Sequence, residues 1–187
     1  MDKPGSQKTQ QKDRVPVGKG IGPVVSSAHL ADSSALPALS EMEFALTMSN
    51  HAFHRWIVRC MTASGLSELG SLDVLVLHTV NSRGKARKLA DICLILNVED
   101  THTVTYSVRK LEAQKLVKSG KLGKEKTVTI TDHGEEICLR YKEIREALFV
   151  EAVQALGLED QELSKMAALL RALSGQYDQA ARAAASM

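Results

Sequence analysis

The segment from Arg87 to Thr131, RKLADICLILNVEDTHTVTYSVRKLEAQKLVKSGKLGKEKTVTIT, decides the fold. Leu89, Ile92, Cys93 and Leu96 stand at i, i+3, i+4 and i+7, which predicts a short helix with Arg87, Lys88 and Asp91 on its polar face. Asp100 is a good cap for a second helix beginning at Thr101, in which Val104, Val108 and Leu111 form one narrow apolar stripe. The opposite face carries Thr101, His102, Thr103, Thr105, Tyr106, Arg109 and Lys110. Threonine is a mediocre helix former, so a row of short hydrogen-bonding side chains suits a surface that reads a partner. Leu116-Val117-Lys118, a loop expected at residues 119–124, and the alternating run Lys126–Ile130 then predict a β-hairpin. A helix-turn-helix offers its second helix to a DNA groove, and a basic hairpin beside it reaches the backbone or the neighbouring groove.

Charge singles out the same region. Between Asn81 and Ile130 eleven lysines and arginines face five acids, a local net of +6, while the rest of the chain carries a net of −4. A cationic stretch on an otherwise mildly acidic chain is the footprint of a polyanion-binding face, with a solvated charged surface as the other reading.

Working outward, residues 1–35 are polar and rich in Gly, Pro, Ser, Lys and Gln, and bury too little to offset chain entropy. Ile21–Val25 within them is either linker or a docking run. A long helix is expected from Pro37 or Ser40 to Gly65, with Met42, Leu46, Phe53, Trp56, Ile57, Cys60 and Met61 at roughly helical spacing. Ser71 and Asp73 open another, closed at Asn81–Gly84. After the hairpin, one helix is expected over residues 133–156 and a last one from Glu159 or Asp160 towards Ala184, with Gly157 as the stop between them. The expected organisation is a flexible tail (1–35), an N-terminal dimerisation helix (36–70), a winged helix-turn-helix domain (71–132) and C-terminal dimerisation helices (133–187). The class is mainly α with a small β-hairpin wing.

Catalysis finds no support: there is no glycine-rich phosphate loop, no nucleophile paired with a base and no zinc spacing. We expect no enzyme, no cofactor and no metal. His51 and His54 lie three apart on a helix but lack a matching ligand pair, so surface histidines are the preferred reading. Cys60, Cys93 and Cys138 are read as small core residues rather than redox sensors, in a reduced, cytoplasmic setting. No apolar run is long enough to span a bilayer, so no membrane association is expected.

The pieces Lys88-Leu89-Ala90-Asp91, Val104-Thr105, Arg109–Val117 and Ile130-Thr131-Asp132-His133-Gly134 resemble the LA…T…LE.KGLV…LT..G pattern of the MarR family of bacterial transcription regulators. The resemblance extends from about Glu41 to Leu173. It implies a winged helix whose terminal helices build a homodimer on pseudo-palindromic double-stranded DNA. It departs from the pattern by about four extra residues around Cys93 to Glu99, and by the lack of the wing's usual Asp-x-Arg. On this reading Lys121, Lys124 and Lys126 contact phosphate or the minor groove, together with Lys88 and Lys110. Thr101, Thr103, Thr105 and Tyr106 bond phosphates or base edges. Arg109 takes a guanine or a phosphate, and His102 sits at the groove edge or packs at the helix start. Relatives bind small aromatic effectors beside the dimer helices; Phe53, Trp56 and Met61 would line such a pocket here, core packing being the alternative. The rival function is a winged-helix protein-interaction module without sequence-specific DNA binding.

Overall fold

The structure, a computed structural model, describes residues 34–82 and 86–187. Most of the expected tail, the Ile21–Val25 run, and Arg83, Gly84 and Lys85 lie outside the described residues. The chain divides into two compact units, Met1–Asn50 and His51–Met187. In the first unit the described residues are chiefly the opening of helix α1 (Pro37–Ala63). Of the two expected starts α1 takes the earlier one, with proline, whose fixed φ and missing N–H cost nothing there, as its first residue. Ser40 therefore lies inside the first turn rather than capping it.

The second unit contains the rest of α1, which buries Ile57, Cys60 and Met61, and then α2 (Ser71–Asn81). Asp73 accepts the Gly70 N–H at 2.8 Å, satisfying a donor at the start of α2. Arg87–Lys88 form a short strand, β1, and α3 (Leu89–Leu96) follows directly. Asn97, at φ 51°, ends α3 in the left-handed conformation that asparagine tolerates well. The Asp100 carboxylate accepts the His102 N–H at 2.8 Å and caps α4 (Thr101–Ala113), as expected. β2 (Val117–Leu122) and β3 (Glu125–Ile130) complete an antiparallel sheet in the order β1-β3-β2.

Two expectations are corrected here. Arg87 and Lys88 do not belong to the α3 helix; they pair with Val128 and Thr127 and cover what would be an open edge of β3. Most of the loop expected at residues 119–124 is strand, because the register from Val117↔Ile130 to Leu122↔Glu125 runs unbroken to a two-residue turn. Gly123 takes that turn at φ 63°, a region glycine enters without steric cost.

After β3 come α5 (Asp132–Arg145), a π-helical turn at Glu146–Val150, and α6 (Glu151–Ala155); Gly157 at φ 74° then admits α7 (Asp160–Ala184). The helix expected over 133–156 is thus three consecutive helical segments. The core is aliphatic, with Val74 and Leu77 of α2, Ile92 of α3, Val104 and Leu111 of α4, Leu116, and Val128 of β3 all fully buried.

All three cysteines are buried free thiols, consistent with small core residues. Burial, assisted by the Glu135 carboxylate, pushes the Cys138 thiol up to about 11, and burial raises Cys60 against the opposing charge of Arg145. Neither is set up as a thiolate sensor. His78 packs edge-on against Tyr141 with ring centroids 4.4 Å apart, and its buried Nε2 has no hydrogen-bond partner. Burial holds its pKa below the ordinary 6.5. The native state then binds fewer protons than the unfolded one, so stability is full above about pH 6.5 and declines as the pH falls through the window below it. His78→Phe keeps the aromatic contact and removes the titration. Thermal melts should show its advantage over the parent chain growing from pH 7.5 to pH 5.5; a constant difference would exclude this role.

Candidate nucleic-acid interface

The geometry of α4 divides its residues as the apolar stripe requires. Val104, Val108 and Leu111 point into the core, joined by Ser107, while Thr101, His102, Thr103, Tyr106 and Arg109 are exposed. Tyr106, at 69% exposure, is a large amphipathic side chain standing in solvent. Thr103 and Thr105 donate their hydroxyl protons to the carbonyls of Asp100 (2.7 Å) and Thr101 (2.8 Å). Their hydroxyl oxygens keep lone pairs for an outside donor.

A cleft of about 350 Å³ separates α4 from the wing. Thr105, Arg109 and Glu112 line it from α4, Ser119, Gly120 and Lys121 from β2, and Lys126 and Thr127 from β3, over a floor of Leu89, Val108 and Val128. The fold therefore brings Thr105, Arg109, Lys121 and Lys126 together across more than twenty residues of chain. On the other flank of α4 a second cleft, about 590 Å³, is bordered by Asp100, His102, Thr103, Thr105, Tyr106 and Arg109. Thr105 and Arg109 border both. Lys124 sits at the hairpin turn, and Thr101 opens the helix without lining either cleft.

Lys121 and Lys126 stand directly opposite each other in the β2–β3 register. Like charges in that position repel and weaken the hairpin, unless an anion sits between them. The wing root is held from α4: the Glu112 carboxylate accepts the Ser119 N–H at 2.7 Å.

Two of the cations assigned to DNA are committed internally. Lys88 pairs with Glu125 at 2.6 Å, both groups well exposed, and the contact raises the lysine's pKa. A pair so exposed is weak and exchangeable. Lys110 pairs at 3.0 Å with Asp73, whose side chain is 8% exposed. Neither partner was legible in the sequence, since Asp73 and Glu125 are remote from them in the chain. The residues suggested for an effector pocket occupy three different environments: Met61 is fully buried in the core, Trp56 stacks on Phe149 at 5.5 Å, and Phe53 is half exposed beside His54. Met61 is therefore a packing residue. Among the described residues no cluster of three His, Cys, Asp or Glu could hold a metal, and no helix is long and apolar enough to cross a membrane.

Residues 69–134 match the family described as winged helix DNA-binding domain. No curated protein matches the sequence. Among solved structures, CouR from Rhodococcus jostii RHA1 bound to p-coumaroyl-CoA is similar with a TM-score of 0.60 at 16% identity, over 71% of this chain and 90% of that one. A MarR-family transcriptional regulator from Rhodococcus sp. RHA1 is similar with a TM-score of 0.59 at 17% identity, over 75% and 96%. A cysteine-to-serine variant of MarR from E. coli complexed with operator DNA gives a TM-score of 0.56 at 16% identity, over 75% and 99%. The helix-turn-helix and its three-stranded wing thus form a winged helix domain over residues 69–134, and with the flanking helices the chain has the fold of solved MarR-family transcriptional regulators.

Proposed function

We propose that the protein is a sequence-specific regulator of transcription that binds double-stranded DNA as a homodimer on a pseudo-palindromic operator. One observation carries the reading: Lys121 and Lys126 face each other across the wing, and with Arg109 they line one cleft. That arrangement costs folding energy and is relieved by a phosphate backbone. The likeness to MarR complexed with operator DNA supports it. In this reading α4 enters the major groove, Thr101, His102, Thr103, Thr105 and Tyr106 contact phosphate or base edges, Arg109 reads a base, and the wing lysines neutralise phosphates. The site is that of a cytoplasmic binding protein, not an enzyme.

Dimerisation is supported by α7, a 25-residue helix that buries none of its residues within the chain and exposes Met166, Leu169 and Leu170. An amphipathic helix of that length is stabilised chiefly by covering its apolar face. The mass in solution at micromolar concentration should be twice that of the chain; a monomer would remove the palindrome. A small-molecule effector is part of the proposal on the likeness to CouR, whose structure holds p-coumaroyl-CoA.

Selection of bound duplexes from random DNA tests the function as a whole. A palindromic consensus is the expected result. Salt-dependent binding without a consensus would reduce the protein to a non-specific binder. No salt-dependent binding would favour a protein-docking winged helix. On the recovered duplex, Arg109→Ala should weaken binding by about 1–3 kcal/mol and relax preference at one position. Unchanged affinity in a gel-shift titration would take Arg109 out of the interface.

A further inference from the structure

Lys110 belongs by sequence to the polar face of α4, yet its ammonium lies 3.0 Å from the Asp73 carboxylate. The same carboxylate oxygen accepts the Gly70 N–H at 2.8 Å, so Asp73 is held in place from its own helix end. Asp73 is 8% exposed at the side chain and Lys110 32%, which sets this pair apart from the open Lys88–Glu125 contact. Removing Lys110 would leave the Asp73 carboxylate, in a site with little water, without its cation.

The pair joins the first turn of α2 to the last turn of α4. The rest of the buried face of α4 is the aliphatic stripe Val104, Val108 and Leu111, with Ser107 beside it. Apolar contact is non-directional, and a narrow stripe tolerates a helix turning about its axis. A charged hydrogen bond does not, because its distance and angle are both narrow. Arg109 precedes Lys110 in the chain, and Tyr106 and Thr103 lie one and two turns back along the same helix. Rotation of α4 would displace all three.

We propose that the Asp73–Lys110 ion pair sets the rotation of the recognition helix, and that Lys110 is a positioning residue rather than a phosphate ligand. The inference rests on the DNA-binding reading above and adds which residue aims the reading head.

The two roles separate by salt dependence. A direct phosphate contact contributes about 0.9 to the slope of log K against log[salt], whereas a positioning residue contributes nothing to it. Full-length Lys110→Gln, Asp73→Asn, the double variant and Lys110→Arg would be titrated against the fluorescent duplex recovered by selection, over a range of salt, with thermal melts of each. Each single variant is expected to bind roughly tenfold more weakly with an unchanged slope. The double should be no weaker than either single, since both act through one bond. Lys110→Arg, which restores the charge and a donor, should recover much of the affinity. A slope lowered by about 0.9 in Lys110→Gln alone, with Asp73→Asn binding normally, would make Lys110 a phosphate ligand and overturn the inference. Wild-type affinity in the double variant would overturn it as well. If the singles fail to fold, the double carries the test, because it leaves no lone buried charge. Absence of wild-type binding would be seen before any variant is compared; it would retire the DNA-binding reading and this one with it.

Discussion

Gly134→Ala is expected to destabilise the winged domain by about 3 kcal/mol or more, a large fraction of the stability a domain of this size usually has. A Cβ built at Gly134 would lie 2.2 Å from the Leu116 carbonyl oxygen and 2.6 Å from Ile130 Cδ1. The Ile130 methyl ends a side chain that can turn aside, but the Leu116 carbonyl is backbone and cannot move cheaply. The Leu116 oxygen accepts the Thr131 N–H at 3.1 Å, where the chain leaves β3 and meets the start of the wing. Thr131 in turn caps α5, its hydroxyl oxygen accepting the Gly134 N–H at 3.1 Å and its proton going to the Lys115 carbonyl at 2.7 Å. Helix α5, the end of β3 and the root of β2 therefore meet at one glycine, without room for a methyl group. Overpacking of this kind is not relieved by rotamer change, because the clash is with backbone. Circular dichroism melts read the effect. Alanine melting within a few degrees of glycine would mean that α5 does not approach Leu116 this closely.

Replacing Lys121, Lys124 and Lys126 together by alanine is expected to flatten the salt dependence of DNA binding by as much as ~2.7 in log K against log[salt]. Binding at low salt should fall by about two orders of magnitude or more. Stability should move the other way. Lys121 and Lys126 oppose each other in the hairpin, so removing their repulsion should hold the melting temperature or raise it slightly. The opposed signs make the result informative: weaker binding by a protein at least as stable cannot be attributed to unfolding. Anisotropy titrations from about 50 to about 200 mM salt provide the measurement. An unchanged slope would leave the wing without a role in phosphate contact.

Local features of α4 were legible because they depend on neighbours in the chain. The Asp100 cap, the Val104–Val108–Leu111 stripe and the exposed Tyr106 and Arg109 all follow from helical spacing and capping chemistry. The wing was legible as a hairpin, but its strands run further than alternation suggested, since pairing continues through Ser119, Gly120 and Lys121. Backbone hydrogen bonds do not need the side-chain pattern that betrays a strand. Arg87-Lys88 was misread for a related reason: two residues carry too little pattern to reveal a strand, and they become one only because β3 has an edge to cover.

Sequence alone, then, determined that the chain forms a helix-turn-helix with a basic hairpin between long helices, because periodicity, caps and charge are encoded within a few residues. Tertiary structure decided how each cation is used. Lys110 met Asp73 and Lys88 met Glu125, while Arg109, Lys121 and Lys126 came to one cleft with no carboxylate closing it off except Glu112, which holds the wing by Ser119. The Gly134 motif was visible in the chain, but its reason was not: a close approach to Leu116 exists only once β2, β3 and α5 have met. Charge pairing and steric contact are set by distance in space, and residues 18 to 37 positions apart acquire that distance only by folding.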